Sequence, residues 1–258
     1  MRGKVLLLRR GTLLLILTAL VAAGIFMAVG GPSFVSASAA KRQLPIYSVE
    51  REEKVCAISF DAAWGNEDTQ ALIDILGKYN VKATFFVVGD WVDKYPESVK
   101  ALHDAGHEVM NHSLHHDHYN ALTADQVVAD VTACNEKIAA ITGVTPCLIR
   151  CPYGEYDDHV ISAIRSMGME PIQWDVDSLD WKDYDADTIC QRVTSKLSPG
   201  SIVLFHNAAL HTPEALPAIL DHMAREGYSL LPISQLIYRE NYTMDHAGRQ
   251  FCQAQSEQ

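Results

Sequence analysis

The chain has 258 residues, 48% of them apolar and 21% charged. That is enough apolar material for a sizeable core, and it excludes wholesale disorder. The first 50 residues hold six basic groups and one acid, so a formal charge of −11 for the whole becomes −16 for the remainder; a body this acidic has no general attraction for nucleic acid.

Arg2, Lys4, Arg9 and Arg10 precede an uncharged run from Gly11 to Gly31. A run of that length crosses a bilayer, which needs about 20 apolar residues. The basic flank stays cytoplasmic. Residues 1–31 therefore read as a single-pass signal anchor that places the body outside the cell. The alternative is a secreted form cut after Ala39, since Ala37-Ser38-Ala39 has the A-x-A form. Residues 32–50, with Pro32, Pro45 and several serines and alanines, read as a linker. Residues 51–238 form the body, and 239–258 read as a polar tail. None of the six cysteines forms a C-x-x-C pair, which excludes a zinc ribbon or a dithiol redox motif and leaves their disulfide state open. A monomer is expected.

Within the body, strand and helix alternate. Val55 to Phe60 is an apolar run suited to a buried strand. Ala71, Leu72, Ile75, Leu76 and Tyr79 share one face of a helix over 67–79. Ala83 to Val88 is a second strand, and Pro96 opens a helix closed by Gly106. Glu108 to Met110 is a third strand. Thr123 caps a helix that Gly143 stops. Leu148-Ile149 is a fourth strand, followed by a helix at 158–167 and a strand at 170–174. A helix at 186–197, a strand at 201–205, a helix at 213–225 and a strand at 229–231 complete the pattern. About seven alternations predict parallel βαβ units, in an open sheet or a closed barrel. No Gly-x-Gly-x-x-Gly follows the first strand, so a dinucleotide site has no support.

Five ionisable residues fall just past five strand ends: Asp61, His112, Arg150, Asp177 and His206. In a parallel barrel those ends face one way and build the active site. His112 and His116 stand at i and i+4. On a helical turn that spacing points both imidazoles the same way and suits a divalent metal, with His118 as a further candidate.

The order of these motifs carries a resemblance. From about Lys54 to Ile237 the chain resembles the NodB-homology domain of polysaccharide deacetylases, carbohydrate esterase family four. Ser59-Phe60-Asp61-Ala62 sits where that family has T-F-D-D. His112-Ser113-Leu114-His115-His116 resembles its H-[ST]-x-x-H motif. Arg150-Cys151-Pro152-Tyr153-Gly154 resembles R-x-P-Y-G, Asp177 to Trp181 resembles D-x-x-D-W, and Leu204-Phe205-His206 resembles L-x-H. The Asp-Ala-Ala-Trp-Gly form and the N-terminal run resemble its PdaB-type sporulation branch.

The resemblance implies a distorted (β/α)7 barrel and a peptidoglycan substrate, with N-acetyl groups removed from its sugars. It implies a divalent metal on His112 and His116, Zn first and Co or Ni as alternatives. Asp61 would be the general base, paired with Arg150. His206 would be the general acid, oriented by Asp177, with Asp180 as runner-up. The Tyr153 backbone N–H would hold the oxyanion, and Trp181 and Leu204 would wall the acetyl pocket. One departure matters. The family's second aspartate is a metal ligand, and here that position is Ala62. A methyl coordinates nothing, so the alternative is a catalytically impaired glycan-binding or sporulation scaffold protein. Asn207 replaces the aspartate common after the closing histidine, and bulky Trp64 stands beside the site.

Overall fold

The computed structural model describes residues 42–253, with Thr18 as one further position. Apart from Thr18, the run Gly11–Gly31 and the Ala39 cleavage point lie outside the described residues. Among those described, no helix is long and apolar enough to cross a membrane.

After a two-residue strand β1 (Ser48–Val49), the central strand β2 (Val55–Ala62) is buried nearly end to end. Its alternation sorts two faces, because successive side chains in a strand point to opposite sides. Cys56, Ile58, Phe60 and Ala62 join an apolar cluster with helix residues such as Leu72, Leu102 and Leu216. Ala57 packs with Phe86, Met110, Leu148 and Ile202 in a second cluster. Ser59 and Asp61 therefore start on the same face as Ala57. Phe60 stacks on Phe85 at 4.7 Å and on Phe205 at 5.5 Å, tying β2 to both neighbours. Truncating such a ring costs about 3–5 kcal/mol.

Those neighbours are β3 (Thr84–Val87) and, far along the chain, β8 (Ile202–His206). Beyond β3 follow β4 (Glu108–Asn111), β5 (Leu148–Ile149) and β6 (Glu170–Pro171); beyond β8 comes β7 (Val176–Asp177). The order is β6-β5-β4-β3-β2-β8-β7, every pairing is parallel, and β9 (Ser229–Leu230) pairs beside the start of β2. The helices α1 (Thr69–Lys78), α2 (Gly89–Lys94), α3 (Pro96–Asp104), α4 (Ala124–Thr142), α5 (Asp158–Ser166), α6 (Ala186–Thr194) and α7 (Thr212–Arg225) supply the crossovers, and α8 (Ile233–Leu236) follows β9. The anticipated cap on α4 is present: Thr123 and Gln126 form a reciprocal capping box, and Gly143 closes the helix at φ 72°. Such an N-cap contributes about 1 kcal/mol.

The barrel expected from the resemblance is corrected in one respect: the sheet curls but does not close between β6 and β7. Both are two residues long, and Pro171 has no N–H to donate. The opening is filled by residues expected to be linker. Ile46 N–H donates to Pro171 O at 2.9 Å, and Gln173 N–H donates to Ile46 O at 2.7 Å. Farther along, Val49 N–H donates to Gly200 O at 2.9 Å. Gly200 sits at φ 81°, and a Cβ there would lie 1.7 Å from Val49 O, so only glycine fits. Ile46 and Val49 are fully buried. The expected tail also joins the body: β10 (Tyr242–Met244) and β11 (Arg249–Cys252) form an antiparallel pair, and β11 continues onto β1. Strands this short carry no readable periodicity. The body therefore includes residues 42–50 and the tail through 253.

Candidate active site

The five strand-end residues do meet. Asp61, His112, Asp177 and His206 line one cavity of ≈ 350 Å³, joined by His116, Tyr153, Trp181, Leu204 and the unanticipated Trp174. Trp64 forms part of its rim.

Arg150 lies beneath this floor, fully buried. Its Nη1 donates to Asp61 Oδ1 at 2.7 Å. Its Nη2 donates to Ser59 Oγ at 2.9 Å and to Gln173 O at 3.1 Å. Phe86 holds the guanidinium at 4.3 Å from its ring centre, with Trp174 at 5.5 Å. Burial pushes the Asp61 pKa up, but the adjacent Arg150, with His112 and His206, more than reverses this and leaves it below the usual carboxylate range. Asp61 is thus held as a carboxylate. Its Oδ2 stands 3.6 Å from His112 Nε2, outside direct hydrogen bonding, and is the oxygen left to accept a proton.

His206 ends β8, and the structure corrects which acid serves it. Asp180, fully buried, accepts from His206 Nδ1 at 2.8 Å through Oδ1 and from the His206 backbone N–H at 2.8 Å through Oδ2. Thr212 Oγ1 donates to the same Oδ2 at 2.7 Å. Asp177 is engaged elsewhere, where its Oδ1 accepts from the Leu179 N–H at 2.9 Å. That turn, with Leu179 at φ 52°, swings Asp180 back beneath the imidazole. Burial opposes a charge on His206, but the hydrogen bond and charge of Asp180, helped by Asp61 and Asp177, outweigh it, so its pKa is raised.

The histidine motif is not helical, as its spacing had suggested. Residues 112–118 form a loop, with Ser113 at φ 76° and His116 at φ 60°. Asn111 Oδ1 accepts from Ser113 N–H at 2.7 Å, Ser113 Oγ accepts from His116 N–H at 2.9 Å, and Asp130 accepts from Leu114 N–H at 2.9 Å. The loop still brings the His112 and His116 rings to 5.0 Å, edge to face. His112 Nδ1 is engaged by Arg150 O at 2.7 Å, which turns Nε2 to the cavity. Burial depresses both imidazoles, His116 to about 4. His118 is drawn away, stacked on Tyr153 at 4.2 Å and paired with Glu155 at 2.9 Å.

These donors supply only part of the family's metal ligand set. Two imidazoles face the cavity, but Ala62 packs in the outer apolar cluster and is absent from the cavity wall. Among the described residues no group of three or more His, Cys, Asp or Glu is arranged to hold a metal ion.

At the mouth, Tyr153 stands at φ 59° with 57% of its surface exposed and its ring 4.4 Å from His116. Trp181 is 55% exposed and Trp64 59%. Asn207, next to the acid, clamps the Trp64 loop: its Oδ1 accepts from Ala63 N–H at 3.2 Å and its amide donates to Gly65 O.

The family description "Polysaccharide deacetylase" matches residues 48–172. Peptidoglycan-N-acetylmuramic acid deacetylase PdaA of Bacillus subtilis is 30% identical over 198 residues, which are 75% of each chain. The chain belongs to the polysaccharide deacetylase family. Another relative, uncharacterized protein YlxY of Bacillus subtilis, is 32% identical over 193 residues, 75% of this chain and 60% of that one. The chain thus spans less than two thirds of that relative. Among solved structures, a CE4-family pseudoenzyme from Bacillus anthracis superposes with a TM-score of 0.72 at 34% identity, over 76% of this chain and 69% of its own. The polysaccharide deacetylase fold accounts for the curled seven-strand sheet.

Proposed function

We propose that this chain is a deacetylase that hydrolyses N-acetyl groups on peptidoglycan sugars, working outside the membrane. The observation that carries this reading is the pairing of opposite proton roles on one cavity floor. Asp61 is kept ionised by Arg150, and His206 is biased toward its charged form by Asp180. A pure binding surface has no need of either bias.

Asp61 Oδ2 takes a proton from water as the water oxygen attacks the acetyl carbonyl. The Tyr153 backbone N–H donates to the resulting oxyanion. Imidazolium His206 gives its proton to the sugar nitrogen, without which an amine leaves poorly. The C–N bond then breaks to release acetate and the free amino sugar. Trp181 and Leu204 enclose the acetyl methyl. His112 and His116 would hold a divalent ion, Zn first and Co or Ni as alternatives, and such an ion would supply Lewis-acid polarisation of the carbonyl. The name of PdaA supports peptidoglycan as the substrate class. The basic flank and apolar run before Gly31 support the extracytoplasmic placement.

Ala62 favours a second reading, a chain that binds glycan with little turnover. Acetate release from N-acetylated peptidoglycan fragments, with and without added Zn, Co or Ni, separates the two. Release supports the deacetylase; binding without release under every metal supports the second reading.

A further inference from the structure

Trp64 borders two depressions. One is the catalytic cavity; the other, ≈ 270 Å³, also has Trp64 in its lining, with Asp90, Trp91, Lys94 and Tyr95. The indole they share is more than half exposed, yet the loop beneath it is fixed. Gly65 O accepts from the Trp91 indole N–H at 2.9 Å and from the Asn207 amide, and Ala63 N–H is held by Asn207 Oδ1. A large exposed aromatic held rigid from below loses little conformational entropy when a ligand covers it.

The second depression has the chemistry of a sugar site. Half-buried Tyr95 gives aromatic surface beside exposed Trp64, and buried Trp91, its ring 5.6 Å from that of Tyr95, supports it from below. Asp90 Oδ1 pairs with His115 Nδ1 at 2.9 Å, leaving Oδ2 as an acceptor, and Lys94 supplies N–H donors 5.0 Å from the Tyr95 ring centre. A pyranose presents an apolar C–H face and a rim of hydroxyls, which matches aromatic surface bordered by a few polar groups. A polymeric substrate also cannot end at the catalytic cavity. Because Trp64 lines both, a strand that crosses the indole from the cavity would meet this depression next.

We propose that the depression beyond Trp64 is a second glycan subsite, which holds a neighbouring sugar of the strand whose acetamide sits above Asp61. The proposal rests on the glycan deacetylase reading. It makes Trp64 a stacking ridge shared by two sugars. It makes Asn207 a positioning residue: an aspartate there keeps the acceptor for Ala63 but loses the donor to Gly65 O, and so loosens the ridge.

The test measures binding of the full-length chain, by calorimetry, to strands of alternating N-acetylglucosamine and N-acetylmuramic acid two and six sugars long. Wild type should bind the six-sugar strand roughly tenfold tighter than the two-sugar strand, the size of one aromatic stacking contact. Trp64→Ala should bring that ratio close to one. Lys94→Ala should weaken the longer strand more than the shorter, and Asn207→Asp should lower the ratio in the direction of Trp64→Ala. Equal wild-type affinity for both lengths overturns the subsite and leaves the deacetylase reading standing, as does an undiminished ratio in Trp64→Ala. Failure to bind either strand overturns the glycan reading and the subsite with it.

Discussion

The two walls of the catalytic cavity are built to different degrees. On the His206 wall every part has a partner: Asp180 accepts from the imidazole, from the backbone beneath it and from Thr212. On the His112 wall the loop is tightly hydrogen-bonded, but it presents only two imidazoles where the family pattern adds a carboxylate. A proton-transfer wall can be completed by buried side chains alone. A metal wall short of one protein ligand must fill the position with water, and so should hold its ion more weakly.

The largest test of this contrast lies on the complete wall. His206→Ala should lower acetate release by roughly 10²–10⁴-fold, the usual scale of a general acid. Asp180→Asn should lower it less and also move the pH profile. The raised pKa of His206 keeps the acid form populated above the range of a free histidine, so activity falls as pH rises through that value. Removing Asp180 should start the fall at lower pH. An unmoved alkaline limb would detach His206 from the acid role.

Next comes the buried pair that joins the walls. Arg150→Ala leaves the Asp61 carboxylate buried without its partner, which should cost about 3–5 kcal/mol of stability, measured by urea unfolding. Smaller again is repair of the incomplete wall. Ala62→Asp puts a carboxylate among apolar side chains, so without metal its melting temperature should drop. Added Zn should restore it and bind at least about tenfold tighter than to wild type, because a ligand bound by the native state stabilises it. A drop that Zn does not reverse would mean the backbone turns position 62 away from the histidines.

The smallest effect lies outside the site and provides a baseline. His107 is buried behind the sheet and accepts from Ala83 N–H at 3.1 Å. Burial, then Lys82, depresses its pKa to about 4. Between an unfolded value near 6.5 and that value the unfolded chain binds more protons, so stability should fall as pH drops through this window. His107→Gln should flatten that part of the unfolding curve while leaving the catalytic pH profile in place.

The readable part of this molecule was its long, local signals. The strand at Val55, the capped helix from Thr123 and the acids and bases beyond the strand ends all showed in pattern and spacing. What stayed hidden depends on turns or on distant pairing. Asp177 and Asp180 are both acids in one motif, and only the left-handed Leu179 decides which reaches His206. The His112 loop defeats helical reasoning because two residues at positive φ bring the rings together by another route. Ile46 and Val49 look like linker because their partners, Pro171 and Gly200, lie more than 100 residues away.

That last pairing bears on where the catalytic unit can be cut. Composition changes near residue 50, the natural place to begin an excised domain. A fragment begun there would omit Ile46 and Val49, leave Pro171 O and Gly200 O without donors, and expose the apolar seam between the two sheet edges. Such a fragment should aggregate or fall to proteases, whereas one begun at Arg42 keeps the seam sealed. The residues before Arg42 and the body are therefore separable only on the N-terminal side of this strand, and a protease that released the body intact would have to cut there too.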